Sequence, residues 1–226
     1  MRAGPAVNVK AAETGDGGRE GRVVVDPRAQ RTIEALLDAA EKLFTTRAVA
    51  DVTVEEIAAT AGVAIGSVYN HFGSKAGLYA ALVEKALDAD RKFMDLAYVE
   101  GRDPVEQLHA AAEEYLAFYL ANPEYFRMLA FPAEPGSYAA GHDLADRLAD
   151  SVDEQNQRMV DAIKRGIKAG TIRTVNADEM ATVLWSAWNG IISLAWRQDR
   201  LQRDPKQLKR LLRAATDAFT HGLLSD

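Results

Sequence analysis

The chain has 226 residues, 48% of them apolar, with a formal net charge of −6; that length can bury a sizeable core in one or two domains and excludes an intrinsically disordered chain. It contains no cysteine, which removes disulfide scaffolds and thiolate metal sites. The acidic balance argues against a generic polyanion binder, so any nucleic-acid contact must depend on where a few groups sit.

Residues 1–22 hold Gly15, Gly17, Gly18 and Gly21 among mixed charges and almost no large apolar side chain. This is the composition of a tail, and residues 1–27 are expected to be disordered. A phosphate-binding glycine loop would need a strand before it and a helix directly after it, and neither pattern is present. The stretch also lacks the apolar core of a secretory signal. The most apolar run, Leu184 to Trp196, is interrupted by Ser186 and Asn189 and is too short to span a bilayer. A soluble, cytoplasmic protein without membrane contact is the expectation.

From Arg28 the pattern changes. Ile33, Leu36, Leu37, Ala40, Leu43 and Phe44 recur at helical spacing behind Asp26-Pro27, a cap and a first-turn proline. Arg31 lies in the first turn of this helix, where its charge opposes the helix dipole unless it meets an anion; a DNA phosphate and plain solvation are both open. Thr53-Val54-Glu55-Glu56 fits a capping box that opens a second helix ending at Ala61, and Gly62 supplies a residue able to take positive φ. Ile65 to Phe72 makes a third short helix, pinned by Val63, Val68 and Phe72. Its outward Ser67, Tyr69, Asn70 and His71 are hydrogen-bonding side chains of a size suited to a DNA groove, and Ile65 can meet a thymine methyl. Ala64 cannot cap this helix, so the first amides need another partner, which a phosphate partly provides. Ser74 is the expected cap of a fourth helix. Lys75 then stands at its first position, where helix-start amides and an ammonium together make a phosphate site. Residues 28–75 thus read as a helix-turn-helix DNA-binding domain, with a surface αα-corner as the plain alternative.

The fourth helix is expected to run past Phe93 to about Ala97. Asp103-Pro104 starts a fifth, which ends near Asn122-Pro123, and a sixth spans 124–131. Pro132, Pro135 and Gly136 mark a loop. A long seventh helix then carries Leu144, Leu148, Val152, Met159, Ile163 and Ile167 and stops at Gly170. Asn176 with Glu179 opens the eighth, and Asp204-Pro205 opens the ninth, whose Leu208, Leu211, Leu212, Ala215 and Phe219 form the predicted apolar stripe. No strand pattern appears, so the chain reads as all-α with about nine helices. Residues 76–226 form a helical-bundle domain rich in aromatic side chains. A cavity between its helices would suit an apolar or aromatic molecule with one polar end; Phe93, Tyr115, Tyr119, Phe126, Met159, Trp185, Trp188 and Asn189 are the candidate lining.

The stretches RTIEALLDAAEKLF, TVEEIA and AGVAIGSVYNHFGSK together resemble the DNA-binding domain of the TetR family of transcriptional regulators, over roughly residues 28–87. Ala64 stands where that family often has Ser or Thr, and Ile65 where it often has a basic or polar residue. The segment LWSAWNGIISLAW resembles a C-terminal variant of the family that often has Trp-His-Gly, with Asn189 in place of the His. The resemblance implies an N-terminal three-helix reader and a C-terminal domain for ligand binding and dimerisation. It also implies a homodimer through the last two helices, a palindromic double-stranded operator, and a small-molecule effector that releases a repressor from it. The DNA-contacting positions it implies are Arg31, Thr53, Ile65, Gly66, Ser67, Tyr69, Asn70, His71 and Lys75, with Tyr69, His71 and Lys75 at phosphates. Neither a cofactor nor a metal is expected. Two other classes compete. An enzyme is poorly supported, because His71, His109, His142 and His221 are scattered and none has metal-ligand spacing. A helical protein-protein adaptor without operator binding is the remaining alternative.

Overall fold

The structure, a computed structural model, describes residues 26–130 and 142–223; most of the expected tail and the loop at Pro132, Pro135 and Gly136 lie outside them. The described residues form α1 (Pro27–Thr46), α2 (Val54–Ala61), α3 (Ile65–Phe72), α4 (Lys75–Ala97), α5 (Pro104–Ala121), α6 (Pro123–Ala130), α7 (His142–Ala169), α8 (Ala177–Ser193) and α9 (Pro205–Leu223), with no strand among them. Two single 3-10 turns, Val49–Asp51 and Leu194–Trp196, are not anticipated by the periodicity. Runs that short leave no repeat to detect. The helix starts follow local chemistry. Asp26 accepts from Arg28 N at 2.9 Å and Asp103 from Val105 N at 2.8 Å. Asp204 and Gln207 bond each other's amides reciprocally at 2.8 and 3.0 Å. Gly170 ends α7 at φ 75°, a conformation glycine adopts without strain.

The chain divides into two compact units, with the division falling inside α4 between Glu84 and Lys85. In the first unit, α1 packs on α2 and α2 on α3 around Leu36, Ala40, Val52, Ile57, Val68 and Leu78, all fully buried. Phe44 meets Tyr79 edge-on at 5.6 Å between ring centres. Thr53 and Glu56 form the expected capping box, and Gly62 closes α2 in the left-handed region at φ 68°. Gly77 has a sharper steric role: a Cβ there would lie 2.0 Å from the Phe72 carbonyl oxygen, so the chain passes from α3 into α4 only through a residue without one.

In the second unit, α5 is the central helix. It packs on α6, α8 and α9 and buries Leu108, Ala112, Tyr115, Leu116, Phe118 and Tyr119. The inward face of α9 differs from the predicted stripe. Leu208, Leu212, Thr216, Thr220 and Leu223 are buried, whereas Leu211 is exposed and Ala215 and Phe219 are only partly covered. The two threonines read as surface residues in sequence, yet each satisfies its hydroxyl within the helix. Thr216 Oγ1 donates to Leu212 O and Thr220 Oγ1 to Thr216 O, both at 2.9 Å, which removes the main penalty for burying them. Leu211, Ala215 and Phe219 form an outward apolar row, and α8 offers a similar one in Val183, Ala187 and Ile191.

Candidate nucleic-acid interface and ligand cavity

The inward face of α3 is fixed by Val68, which is fully buried, and by Phe72 and Val63 packed against the same core. That leaves Ile65, Gly66, Tyr69 and Asn70 exposed, with Ser67 and His71 partly covered on the flank. Ile65 is 44% exposed and Tyr69 52%, a large apolar area for an eight-residue helix to leave in water. Ala64 makes no side-chain cap to α3, so the first amides of this helix are open to an external acceptor. At Gly66 a Cβ would meet nothing within 4 Å. The fold itself does not require glycine there, although glycine weakens a helix by about 1 kcal/mol relative to alanine. Arg31 is exposed as the fifth residue of α1, at the start of its second turn, and the Thr53 hydroxyl accepts from Glu56 N at 3.2 Å while keeping its own proton for another partner.

Lys75 departs from the expectation. Its ammonium donates to Val52 O at 2.8 Å, Val49 O at 2.9 Å and Ala50 O at 3.4 Å, joining the start of α4 to the 3-10 turn before α2. An ammonium has three donors, and all are directed at backbone carbonyls of the irregular turn, of which Val49 O also accepts a long 3.5 Å bond from Val52 N. In the free chain the Lys75 ammonium is thus engaged by the fold, and beside it the start of α4 carries the expected cap, with Ser74 Oγ accepting from Gly77 N at 3.0 Å. Arg47 is likewise occupied: it bonds Glu56 at 2.7 Å and the Asp51 carbonyl. The hydrogen bond to Glu56 raises the Arg47 pKa and lowers that of Glu56.

A cavity of about 50 Å³ lies in the second unit. Five of the eight expected lining residues reach it, namely Tyr115, Phe126, Met159, Trp185 and Trp188. The other three do not line it. Phe93 packs on Phe118 at 5.8 Å, and Tyr119 meets Phe126 at 5.3 Å and Trp196 at 5.9 Å, both edge-on. Asn189 Oδ1 accepts from the Tyr115 hydroxyl at 2.8 Å, so its polar group is taken up by the wall. Burial pushes the Tyr115 hydroxyl well above its usual pKa, holding it neutral as that donor. Sequence reasoning missed the α4 contribution of Leu87, Asp90 and Met94, and the α7 contribution of Ser151, Gln155 and Asn156. Asp90 is the notable omission: 8% exposed, with Oδ1 lacking any hydrogen-bond partner among the described residues. Desolvation raises its pKa to about 6, against the opposing fields of Arg158 and Arg91. Only its place on the α4 face shared with Val83 and Leu87, seven and three residues before it, could have signalled burial from sequence.

His109 meets Asp217 at 3.6 Å through Nδ1 and Thr220 Oγ1 at 3.3 Å through Nε2. The order acid, imidazole, hydroxyl is that of a nucleophile relay. However, Thr220 is buried and its proton is directed at the Thr216 carbonyl, so the hydroxyl has no access to a substrate. No described helix is long and apolar enough to cross a membrane.

A family model for the TetR family of bacterial regulatory proteins matches residues 36–82, and one for a tetracyclin repressor-like C-terminal domain matches residues 108–219. The HTH-type transcriptional repressor SCO4008 of Streptomyces coelicolor is 27% identical over 200 residues, 88% of this chain and 91% of the relative. The HTH-type transcriptional repressor KstR2 of Mycobacterium tuberculosis is 29% identical over 147 residues, 61% of this chain and 68% of its own. Among solved structures, the complex of SmeT with triclosan superposes with a TM-score of 0.69 at 24% identity, covering 86% of this chain and 92% of that one. The regulator PfmR from Thermus thermophilus gives 0.65 at 22% identity, covering 84% and 99%. An uncovered reader helix on an all-α scaffold of this kind defines a helix-turn-helix transcriptional regulator. The chain belongs to the TetR family, whose members bind DNA and dimerise as transcription factors and are not enzymes.

Proposed function

We propose that the chain is a repressor that holds a palindromic operator as a homodimer and is released when a small organic molecule enters the cavity of its second unit. In this reading α3 enters the major groove, with Ile65, Gly66, Ser67 and Asn70 toward base edges. Tyr69, His71, Arg31, Thr53 and the α4 amides meet phosphates. The observation that carries it is the outward face of α3, where Ile65 and Tyr69 stay about half exposed although the opposite face of the same short helix is sealed into the core. The domain division that goes with this reading is 28–75 for the reader and 76–226 for ligand binding and dimerisation. The apolar rows on α8 and α9 supply a surface for the second copy, and a two-fold dimer presents two readers to two half-sites about one helical turn apart.

Ligand release requires that the effector bind one conformation better than the other. α4 supports such coupling, because one continuous helix carries the cavity residues Leu87, Asp90 and Met94 and also begins at Lys75. At about 50 Å³ the cavity holds a few waters, whereas an organic ligand fills roughly 300 Å³ or more. Occupation must therefore move the walls, and α4 is one of them.

The test is binding of the purified full chain to DNA from around its own gene, in competition with unrelated DNA, followed by selection from random sequence. A palindromic site held at least tenfold tighter than competitor DNA is expected, with Tyr69→Ala weakening it by about tenfold, the loss of one good contact of about 1–3 kcal/mol. No selected site from either source would favour the adaptor instead.

A further inference from the structure

We propose that the ligand of the second-unit cavity is an organic cation: a flat aromatic molecule bearing a protonated amine that pairs with the carboxylate of Asp90. The inference rests on the ligand-binding reading above and specifies its chemistry. Asp90 is the one acidic residue among the described residues that line the cavity, whose described walls are otherwise apolar and aromatic side chains and the neutral polar groups of α7. It is 8% exposed, and its Oδ1 has no hydrogen-bond partner among the described residues. A buried carboxylate oxygen left in this state is uncommon, because removing it from water is compensated only by a donor.

The cations nearest in charge terms are engaged with other acids. Arg158 bonds Asp95 at 2.9 Å and lies over the Tyr98 ring at 4.9 Å. Arg91 bonds Asp88 at 2.7 Å and approaches Glu154 at 4.0 Å. Each arginine is thus paired with another carboxylate, and among the described residues Asp90 has no ion-pair partner of its own. The fields of both arginines still favour its ionised form, the one that pairs with a cation. The rest of the wall suits the same ligand. Tyr98, Tyr115, Trp185 and Trp188 offer aromatic faces, and a cation in a desolvated site is attracted to such faces. Asn189 does not line the cavity, and its oxygen accepts from the Tyr115 hydroxyl within the wall. A carboxylate ligand would place a second negative charge beside Asp90, a neutral ligand without a donor would leave Oδ1 as it is, and a neutral hydroxyl would offer a hydrogen bond without the balancing charge.

The test uses three probes of one shape and different charge: 2-naphthylmethylamine, 2-naphthylmethanol and 2-naphthoate. Each is titrated into the full chain at pH 7.5 and followed by tryptophan fluorescence, because Trp185 and Trp188 line the cavity. The amine is expected to bind at least tenfold tighter than the alcohol, and the carboxylate weakest. Asp90→Asn should erase the preference for the amine while leaving the alcohol's affinity within about twofold, and a thermal melt of the same variant establishes that it is folded. Asp90→Glu, which keeps the charge, should retain the preference. An amine that binds no better than the alcohol, or a preference that survives Asp90→Asn, overturns the organic-cation proposal and leaves the cavity as a ligand site of another class. Failure of all three probes to bind overturns both the proposal and the cavity's role as effector site. Operator binding is measured without any probe, so the DNA-binding reading stands or falls separately.

Discussion

At the scale of single residues, Asp90 also sets a pH dependence. Burial lifts its pKa from the ordinary 3.8 to about 6 in the folded chain. The folded state therefore holds the proton more tightly than the unfolded state. The neutral form is fully tolerated below about pH 4, and stability falls as pH rises through the interval up to and just beyond about 6. A rise of this size corresponds to roughly 3 kcal/mol at neutral pH, an upper value for a group that keeps slight solvent contact. Asp90→Asn should thus raise the melting temperature at pH 7.5 and lose that advantage at pH 4, as thermal melts across that range would show. A flat difference between the two proteins would mean that Asp90 is already satisfied in the fold. Residue-level function is only partly legible in the sequence. Aromatic side chains announce a hydrophobic interior, and four of those singled out, with Met159, do meet around one cavity. The acid among them carries no such signal, because a helical Asp beside Arg91 and Lys92 reads as part of a solvated charged face.

At the scale of elements, the clamp from α4 to the turn at Val49–Asp51 is the main departure from the sequence reading. Replacing Lys75 with methionine keeps most of the aliphatic stem and removes three charge-assisted hydrogen bonds. Two of these bonds are partly buried, so a loss of about 1–3 kcal/mol in the stability of the first unit is expected, measurable by denaturant titration. An unchanged midpoint would put the ammonium back in solvent, where a phosphate could use it. The helices themselves are readable to within a residue or so. Their starts carry caps and prolines, and their stops carry Gly62, Gly170 or a following proline, all local features. Long-range ties are not readable: nothing in the spacing of residues 49 and 75 reveals that they meet. The inward face of α9 is misjudged for a related reason. Thr216 satisfies its own proton within the helix, and it accepts the Trp188 indole N–H at 3.0 Å from another helix, a partner visible only in three dimensions.

At the scale of the whole molecule, a protein of net charge −6 must hold a polyanion. Residues 28–80 contribute five basic side chains, Arg28, Arg31, Lys42, Arg47 and Lys75, against six acidic ones. In the free chain the clamp occupies one of these, and the exposed pairing of Arg47 with Glu56 engages a second. Three remain per protomer, or six per dimer. Each phosphate neutralised by a cation sets free nearly one condensed counterion, so the logarithm of operator affinity should fall against the logarithm of salt with a slope of about −5 or shallower. Removing residues 1–25 should leave that slope unchanged, and a markedly shallower slope after the truncation would place Arg2, Lys10, Arg19 and Arg22 on the DNA. A lysine turned inward to hold the fold together thus leaves fewer cations for the phosphates, and a larger share of any recognition falls to the hydrogen-bonding and apolar side chains on the outward face of α3.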